Sequence, residues 1–224
     1  MARVRAMEVA MRHRGWCVGL LFFLVAMGSP GLARAEPYVA VYLGATFPLD
    51  ATVTDNDATP TSVSGISVDE SVVFGGKFGF WSDFVRWLGI ELDISGYKAD
   101  IPDQVAVFAT DMDITDFGFH LLARIPLGSP EGDPMRRAYF YLGGGPAILA
   151  VQGERLGVRQ DVAEFGVHAL AGFKLFLTPN IAVFAEYKFA FAEPTFDLVG
   201  GGTEDITLKI NQVYGGIAYH FSFF

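Results

Sequence analysis

The stretch Val213-Tyr-Gly-Gly-Ile-Ala-Tyr-His-Phe221 alternates apolar side chains with small or polar ones and is followed only by residues 222–224. Because successive side chains of a β-strand point to opposite faces, this period of two predicts a strand with one apolar face. The apolar parity holds Val213, Gly215, Ile217, Tyr219, Phe221 and Phe223. We expect this strand to pair with the first strand of the chain, so that the sheet has no open edge.

Seven earlier segments alternate in the same way and predict seven further strands. Charged residues take one parity of each segment and large apolar residues take the other. The segment 138–151 leaves its facing undecided, because three aromatic residues follow one another at 139–141 and three glycines at 143–145. The predicted strands are Tyr38–Phe47, Ser71–Trp81, Trp87–Tyr97, Ile114–Leu127, Ala138–Val151, Ala163–Leu177, Ile181–Phe191 and a last strand that begins near Ile206.

The first 35 residues predict a cleaved export signal. Four arginines precede an apolar run at Val18–Met27, and Ala33-Arg34-Ala35 supplies the small-x-small cleavage pattern. The alternative, a transmembrane helix, needs about 20 apolar residues, and this run is too short. We therefore predict a signal peptide at residues 1–35 and a single β-barrel domain at residues 36–224.

The charge excludes nucleic acid as a partner. The chain carries a net charge of −9, and residues 1–35 hold five arginines and one glutamate, so that their removal leaves −13. Nucleic acid requires clusters of Lys and Arg. The one cysteine, Cys17, lies in the predicted signal, so the exported chain has no thiol to oxidise.

The lengths of the connections predict the topology. They alternate between long and short, as in barrels with long external loops and short periplasmic turns. They span residues 48–70, 82–86, 98–113, 128–137, 152–162, 178–180 and 192–205. A soluble β-sandwich would also alternate, but the face opposite the apolar one is poor in charge and rich in glycine, as a narrow lumen would be. We predict an all-β fold, an eight-stranded antiparallel up-and-down transmembrane β-barrel.

The segment Gly166–Phe189 holds a Leu-Thr-Pro-Asn turn followed by Glu186-Tyr187-Lys188. Together with the last strand, it resembles the small outer-membrane β-barrel family, which includes opacity-type proteins and the transmembrane domain of OmpA-type porins. The resemblance implies residence in the cell outer membrane, contact with membrane lipid and lipopolysaccharide, and insertion by the barrel assembly machinery. It further implies that Tyr219 and Phe221 form the assembly signal, with Ser222 to Phe224 as an extension.

If the apolar parity faces lipid, the opposite parity fills the lumen. An eight-stranded bore is only wide enough for side chains, so we expect its charges to pair in a polar network rather than to line an ion path. The predicted members are Lys77, Glu91, Asp93, Asp116, His120, Arg124, Glu164, His168, Lys174, Glu186 and Lys188. His120 and His168 invite a zinc hypothesis, but they lie in no spaced ligand motif. We expect satisfied interior histidines, with no metal and no cofactor.

The predicted external loops are acidic, with net charges of −5, −3, 0 and −4 in chain order. Clustered carboxylates such as Asp55 and Asp57 suit Ca²⁺, although no complete calcium loop is present. No nucleophile elbow and no nucleotide-binding loop in a strand-to-helix context are found. We therefore expect a non-enzymatic envelope protein with a structural role and surface interactions through its acidic loops. The alternative is a narrow channel for ions or small solutes.

Overall fold

The computed structural model describes residues 36–49, 51–55, 61–66, 69–100, 111–127, 138–155, 158–197 and 203–221. Every regular element in these ranges is a β-strand. No helix among them is long and apolar enough to cross a membrane. The strands are β1 (Glu36–Pro48), β2 (Ala51–Asp55), β3 (Thr61–Ile66), β4 (Ser71–Trp81), β5 (Leu88–Asp100), β6 (Asp111–Leu127), β7 (Ala138–Arg155), β8 (Val158–Phe176), β9 (Ile181–Ala192), β10 (Thr195–Asp197) and β11 (Thr203–His220).

Eight strands form a closed antiparallel ring in the order β1-β4-β5-β6-β7-β8-β9-β11. The ring closes where β11 pairs with β1, from Tyr38 opposite His220 to Pro48 opposite Ile210. The chain enters and leaves the ring at the same end, called here the terminal end, and the opposite end is called the loop end. The prediction of an eight-stranded antiparallel barrel is confirmed.

The wall separates an apolar outer face from a buried interior. Val41, Leu43 and Phe165 on the outer face are 67%, 64% and 76% exposed, whereas Tyr38 and Tyr42 on the inner face are buried. The strand that the sequence left undecided, β7, turns Tyr139 and Tyr141 inward and Phe140 and Leu142 outward. The odd-numbered residues of β7 stay on the inner face on both sides of the glycine run, as Ala147 and Leu149 show. The strand therefore has one apolar outer face and one buried inner face, like its neighbours.

The prediction of loops at residues 48–70, 98–113, 152–162 and 192–205 is wrong in part, because strands continue into all four. The hairpin β2–β3 lies within the first segment, and β2 extends the ladder on β11 from Glu204 to Thr207. The β5–β6 ladder continues to Asp100 opposite Asp111. The β7–β8 ladder continues to Arg155 opposite Val158. The short strand β10 pairs with the start of β11.

The sequence pattern hides these continuations, because near the loop end the apolar side chains move from the outer to the inner face of the strands. Asp116, His120 and Glu91 point inward in the middle of the barrel, but Ile114 and Met112 point inward above them. The outward residues next to them, such as Asp113, are exposed and polar. At the loop end the outer face is polar and the inner face is an apolar core, as in a sheet that faces water on one side. The buried apolar residues of this loop-end core are Ala99, Met112, Ile114, Leu149, Val151, Ile206, Leu208 and Ile210.

The polar interior as the candidate functional site

Lys188 ties opposite sides of the ring together. This residue of β9 places Nζ 2.8 Å from Asp93 Oδ2 on β5 and 3.2 Å from Asp116 Oδ2 on β6. All three side chains are at most 1% exposed. An ammonium between two carboxylates offsets much of the cost of removing these charges from water. The contacts also cross the bore, since β5 and β9 lie on opposite sides of the ring.

Lys77 makes a second crossing closer to the terminal end. Its Nζ lies 2.8 Å from Glu91 Oε1 on the neighbouring strand β5 and 2.7 Å from Glu186 Oε1 on β9. The three side chains are at most 2% exposed. Lys77 and Lys188 thus bind four carboxylates from three strands within one buried layer.

Four tyrosine hydroxyls complete the coordination of these carboxylates. Tyr38 donates to Glu91 at 2.6 Å, Tyr42 donates to Asp93 at 2.7 Å, Tyr141 donates to Glu186 at 2.6 Å, and Tyr214 also donates to Glu186. Buried carboxylates with several donors are held in one place. These tyrosines were not among the predicted site residues, although the inward parity of the first strand already contained Tyr38 and Tyr42.

Glycines make room for the inward rings. A Cβ atom at Gly79 would lie 2.6 Å from the Tyr38 ring, and one at Gly172 would lie 2.3 Å from the Tyr141 ring. Each ring therefore lies flat across a neighbouring strand, where any side chain would displace it. The glycine-rich inner parity seen in the sequence serves this packing.

His120 and His168 meet inside the same layer. His120 Nε2 and His168 Nδ1 are 2.9 Å apart. His120 Nδ1 lies 3.3 Å from Glu91 Oε1, and His168 Nε2 lies 3.2 Å from Asp116 Oδ2. Among the described residues, no group of three or more His, Cys, Asp or Glu side chains is arranged to hold a metal ion.

The comparisons with known proteins agree with this architecture. The family model described as the outer membrane protein beta-barrel domain matches residues 19–221. The chain belongs to the outer-membrane β-barrel domain family.

Solved structures of other outer-membrane barrels share the fold at low identity. Neisserial surface protein A is 15% identical with a TM-score of 0.52, and the match covers 84% of this chain and 99% of that one. OprG from Pseudomonas aeruginosa is 15% identical with a TM-score of 0.58, covering 84% and 97%. AlkL, solved by solid-state NMR in DMPC bilayers, is 11% identical with a TM-score of 0.52, covering 83% and 90%. No match was found among curated protein sequences.

As an outer-membrane barrel, the protein presents its exposed apolar face to lipid. Tyr219 and Phe221 lie on this face at the terminal end, with ring centroids 5.0 Å apart. The Phe221 amide donates to the Pro37 carbonyl at 2.9 Å, which continues the seam beyond His220. The role of Tyr219 and Phe221 in assembly stays a prediction.

Three predicted members of the lumen network have other surroundings. Arg124 lies at the terminal end, where its Nη1 is 3.0 Å from Glu36 Oε2 and its guanidinium lies 4.6 Å from the Trp81 ring. Glu164 is only half-buried, and its Oε1 accepts from the amide of the next residue. Lys174 is buried, and its Nζ lies 3.9 Å from the centre of the Tyr38 ring.

The terminal end is closed by aromatic residues and one further ion cluster. His220 Nδ1 lies 2.9 Å from Glu36 Oε1, so that the first and last strands of the barrel are joined by side chains as well as by their ladder. The His220 ring also packs on Phe176, with centroids 4.7 Å apart. Glu36 was not among the predicted site residues, because it stands at the predicted cleavage site.

The predicted cation site lies largely outside the described residues. The backbone of Asp55 pairs with Thr61 and Glu204 at the end of β2. Asp57 is outside the described residues. Calcium binding by Asp55 and Asp57 stays a prediction.

Proposed function

We propose that this outer-membrane barrel is a non-enzymatic, non-conducting structural protein of the envelope whose loop end serves surface interactions. The observation that carries the proposal is the pair of ionic crossings of the bore. Lys188 joins β9 to β5 and β6, and Lys77 joins β4 to β5 and β9, all through buried side chains. A permeating ion would have to displace paired charges in a medium of low dielectric constant.

The layers above and below the ionic one also support a filled barrel. At the terminal end Trp81, Tyr139, Phe176 and His220 are each at most 4% exposed. At the loop end Ile206, Leu208 and Ile210 are each at most 2% exposed. An aromatic layer, a charged layer and an apolar layer follow one another along the axis, which is the arrangement of a packed core.

The loop end supports a role in surface contact. Its exposed side chains include the acids Asp69, Glu70, Asp113, Asp161 and Glu193 and the bases Lys98 and Lys209. This excess of acids over bases favours partners that carry positive charge, and it disfavours anionic ones. The acidic composition that the sequence predicts for the external loops supports the same proposal.

The burial of the histidines supports a role without catalysis. His120 and His168 are the best candidates for acid–base chemistry, but both side chains are 0% exposed. A substrate does not reach a ring that is enclosed by its own ion partners. We therefore expect purified protein to leave phospholipid and lipid A intact during prolonged incubation.

Conductance in planar lipid bilayers tests the proposal. We expect no discrete current steps from protein whose folded state has been verified in the same preparation. A general porin reconstituted in parallel shows that insertion and recording are effective. Steady, reproducible steps from this barrel would overturn the proposal in favour of a narrow channel.

A further inference from the structure

Five buried polar atoms on the inner face of four strands have no hydrogen-bond partner among the described residues. Buried polar groups in folded proteins are almost always bonded, either to the protein or to enclosed water. Turning the Gln212 amide over does not help, because its oxygen and its nitrogen both lack a partner. The five atoms are Tyr97 Oη on β5, Asp116 Oδ1 on β6, His168 Nε2 on β8, and Gln212 Oε1 and Nε2 on β11.

The strand ladders and the ion pairs place these atoms around Lys188. Tyr97 lies two residues beyond the β5 partner of Asp116, on the side toward the loop end. Gln212 pairs with Lys188, whose Nζ lies 3.2 Å from Asp116 Oδ2. His168 Nε2 also lies 3.2 Å from Asp116 Oδ2, but the two atoms are not aligned for a hydrogen bond. The five atoms therefore belong to one level of the barrel rather than to scattered sites.

This level lies between two closed layers and is lined by short side chains. The Lys188 crossing closes it toward the terminal end. The loop-end core closes it on the other side, since Ile114 pairs with Tyr97 and Ile210 is the next inward residue before Gln212. Short side chains leave space at the axis of a bore that elsewhere holds lysines and tyrosines. The other inward residues here are buried and short: Thr46 opposite Gln212, Ala190 opposite His168, and Ala147 opposite Gly166.

The chemistry of the five atoms fits water rather than an ion. Gln212 Nε2 only donates, Gln212 Oε1 and Asp116 Oδ1 accept, and Tyr97 Oη does both. A metal cation would leave the amide nitrogen unbonded, and an anion would be repelled by Asp116. An enclosed water both donates and accepts and makes about three hydrogen bonds, so five atoms need about two waters. We infer that the barrel encloses a cluster of water molecules between the Lys188 crossing and the loop-end core.

NMR contacts between water and the Gln212 amide in the folded protein test this inference directly. The side-chain amide protons of Gln212 are assigned by their loss in Gln212→Met. Enclosed water leaves only when the packed layers open, which takes microseconds or longer, so we expect a contact with the sign of a tightly held molecule. A rotating-frame measurement separates this contact from proton exchange by its sign. A Gln212 amide without any contact to water would overturn the inference.

Removal of single hydroxyl groups supplies a second test with a matched control. Tyr97→Phe removes a hydroxyl without a protein partner, whereas Tyr42→Phe removes one that donates to Asp93 at 2.7 Å. Loss of an unbonded buried hydroxyl stabilises a protein, and loss of a bonded one destabilises it. In urea we expect the unfolding equilibrium constant to rise about two- to tenfold in Tyr97→Phe and about tenfold or more in Tyr42→Phe. An unchanged or lower constant in Tyr97→Phe would contradict the water cluster.

Discussion

At the scale of single residues, the stability of the interior depends on buried ion pairs, in which water cannot take the place of a lost partner. Lys188 neutralises two carboxylates that cannot turn toward water, whereas Lys98 and Asp113 form a pair at 3.6 Å with both side chains more than 60% exposed. The two lysines therefore offer a matched comparison of the same chemistry in two environments.

Replacing Lys188 with methionine should destabilise the barrel strongly. The change replaces the ammonium with an unbranched apolar side chain one atom shorter and leaves Asp93 and Asp116 without their cation, at a cost of about 3–5 kcal/mol. The same change at Lys98 should cost about 0–1 kcal/mol, because water solvates Asp113 there. Reversible urea unfolding in lipid vesicles measures both, and similar losses in the two variants would show that the interior layer is not tightly packed.

Gly118 is the residue that gives the histidine pair its space. A Cβ atom at this position would lie 2.5 Å from His120 Nε2 and 2.8 Å from His168 Nδ1. Gly118→Ala should therefore force the two rings apart and destabilise the barrel by about 1–3 kcal/mol. Gly76→Ala is the control, since its nearest neighbour would be at 3.5 Å. An unchanged nitrogen NMR spectrum of the two histidine rings in Gly118→Ala would mean that the rings meet elsewhere.

At the scale of elements, each long strand serves two environments. The part of β11 around Val213 and Ile217 faces lipid with its apolar side chains, which are 50% and 57% exposed. Its first part instead buries Ile206, Leu208 and Ile210 and exposes Lys209. The same strand thus changes its apolar face from outside to inside.

This change of face predicts opposite sensitivities for two adjacent residues. Leu208→Ser removes a buried side chain and adds a buried hydroxyl, which should cost about 2–5 kcal/mol. Lys209→Ser replaces an exposed side chain and should change stability by less than about 0.5 kcal/mol. Protease sensitivity at the loop end and urea unfolding together measure the difference. Equal effects would mean that the start of β11 is solvated on both faces.

The seam between β1 and β11 should be the element most sensitive during assembly. A charge at Phe221 would lie next to the Tyr219 ring, directly after β11, where the Phe221 amide bonds the Pro37 carbonyl. We expect Phe221→Asp to reduce the amount of folded protein in the outer membrane more than Phe224→Asp does. The amount of folded protein of each variant in isolated outer membranes measures this difference. An equal reduction in the two variants would place the assembly signal further along the chain.

At the scale of the whole molecule, the closed ring explains how one domain tolerates so many buried charges. Closure removes open edges, so backbone groups in the lipid are paired within the wall. The interior is a packed core whose middle layer is charged. An aromatic layer covers it at the terminal end and an apolar layer covers it at the loop end.

A closed, filled barrel should resist detergent until it is heated. We expect folded protein to migrate faster than boiled protein in gel electrophoresis, because the closed ring stays compact in dodecyl sulfate at room temperature. The Lys188→Met variant should convert to the slower form at a lower temperature than the native protein. A single band at all temperatures would contradict the closed ring.

The sequence by itself determined the wall of the barrel. The period of two marked eight strands and assigned Lys77, Glu91, Asp93, Asp116 and Glu186 to the interior, because lipid accepts no charge on the other parity. It determined less at the loop end, where the apolar parity reverses outside the lipid and the pattern predicts loops instead of strands. Nor did it indicate that Arg124 and Glu164 stand apart from the central layer.

Only the tertiary structure decided which interior residues meet. Partners across the bore depend on the stagger between strands, and this stagger is fixed only when β11 closes on β1. His120 and His168 are 48 residues apart in the chain, and no spacing rule relates them, because they touch across a third strand. Lys188 likewise finds Asp93 only because closure brings β9 and β5 to opposite sides of one narrow ring. The strand pattern is a local property of the chain, whereas the ion pairs and the glycine-lined spaces are properties of the closed barrel.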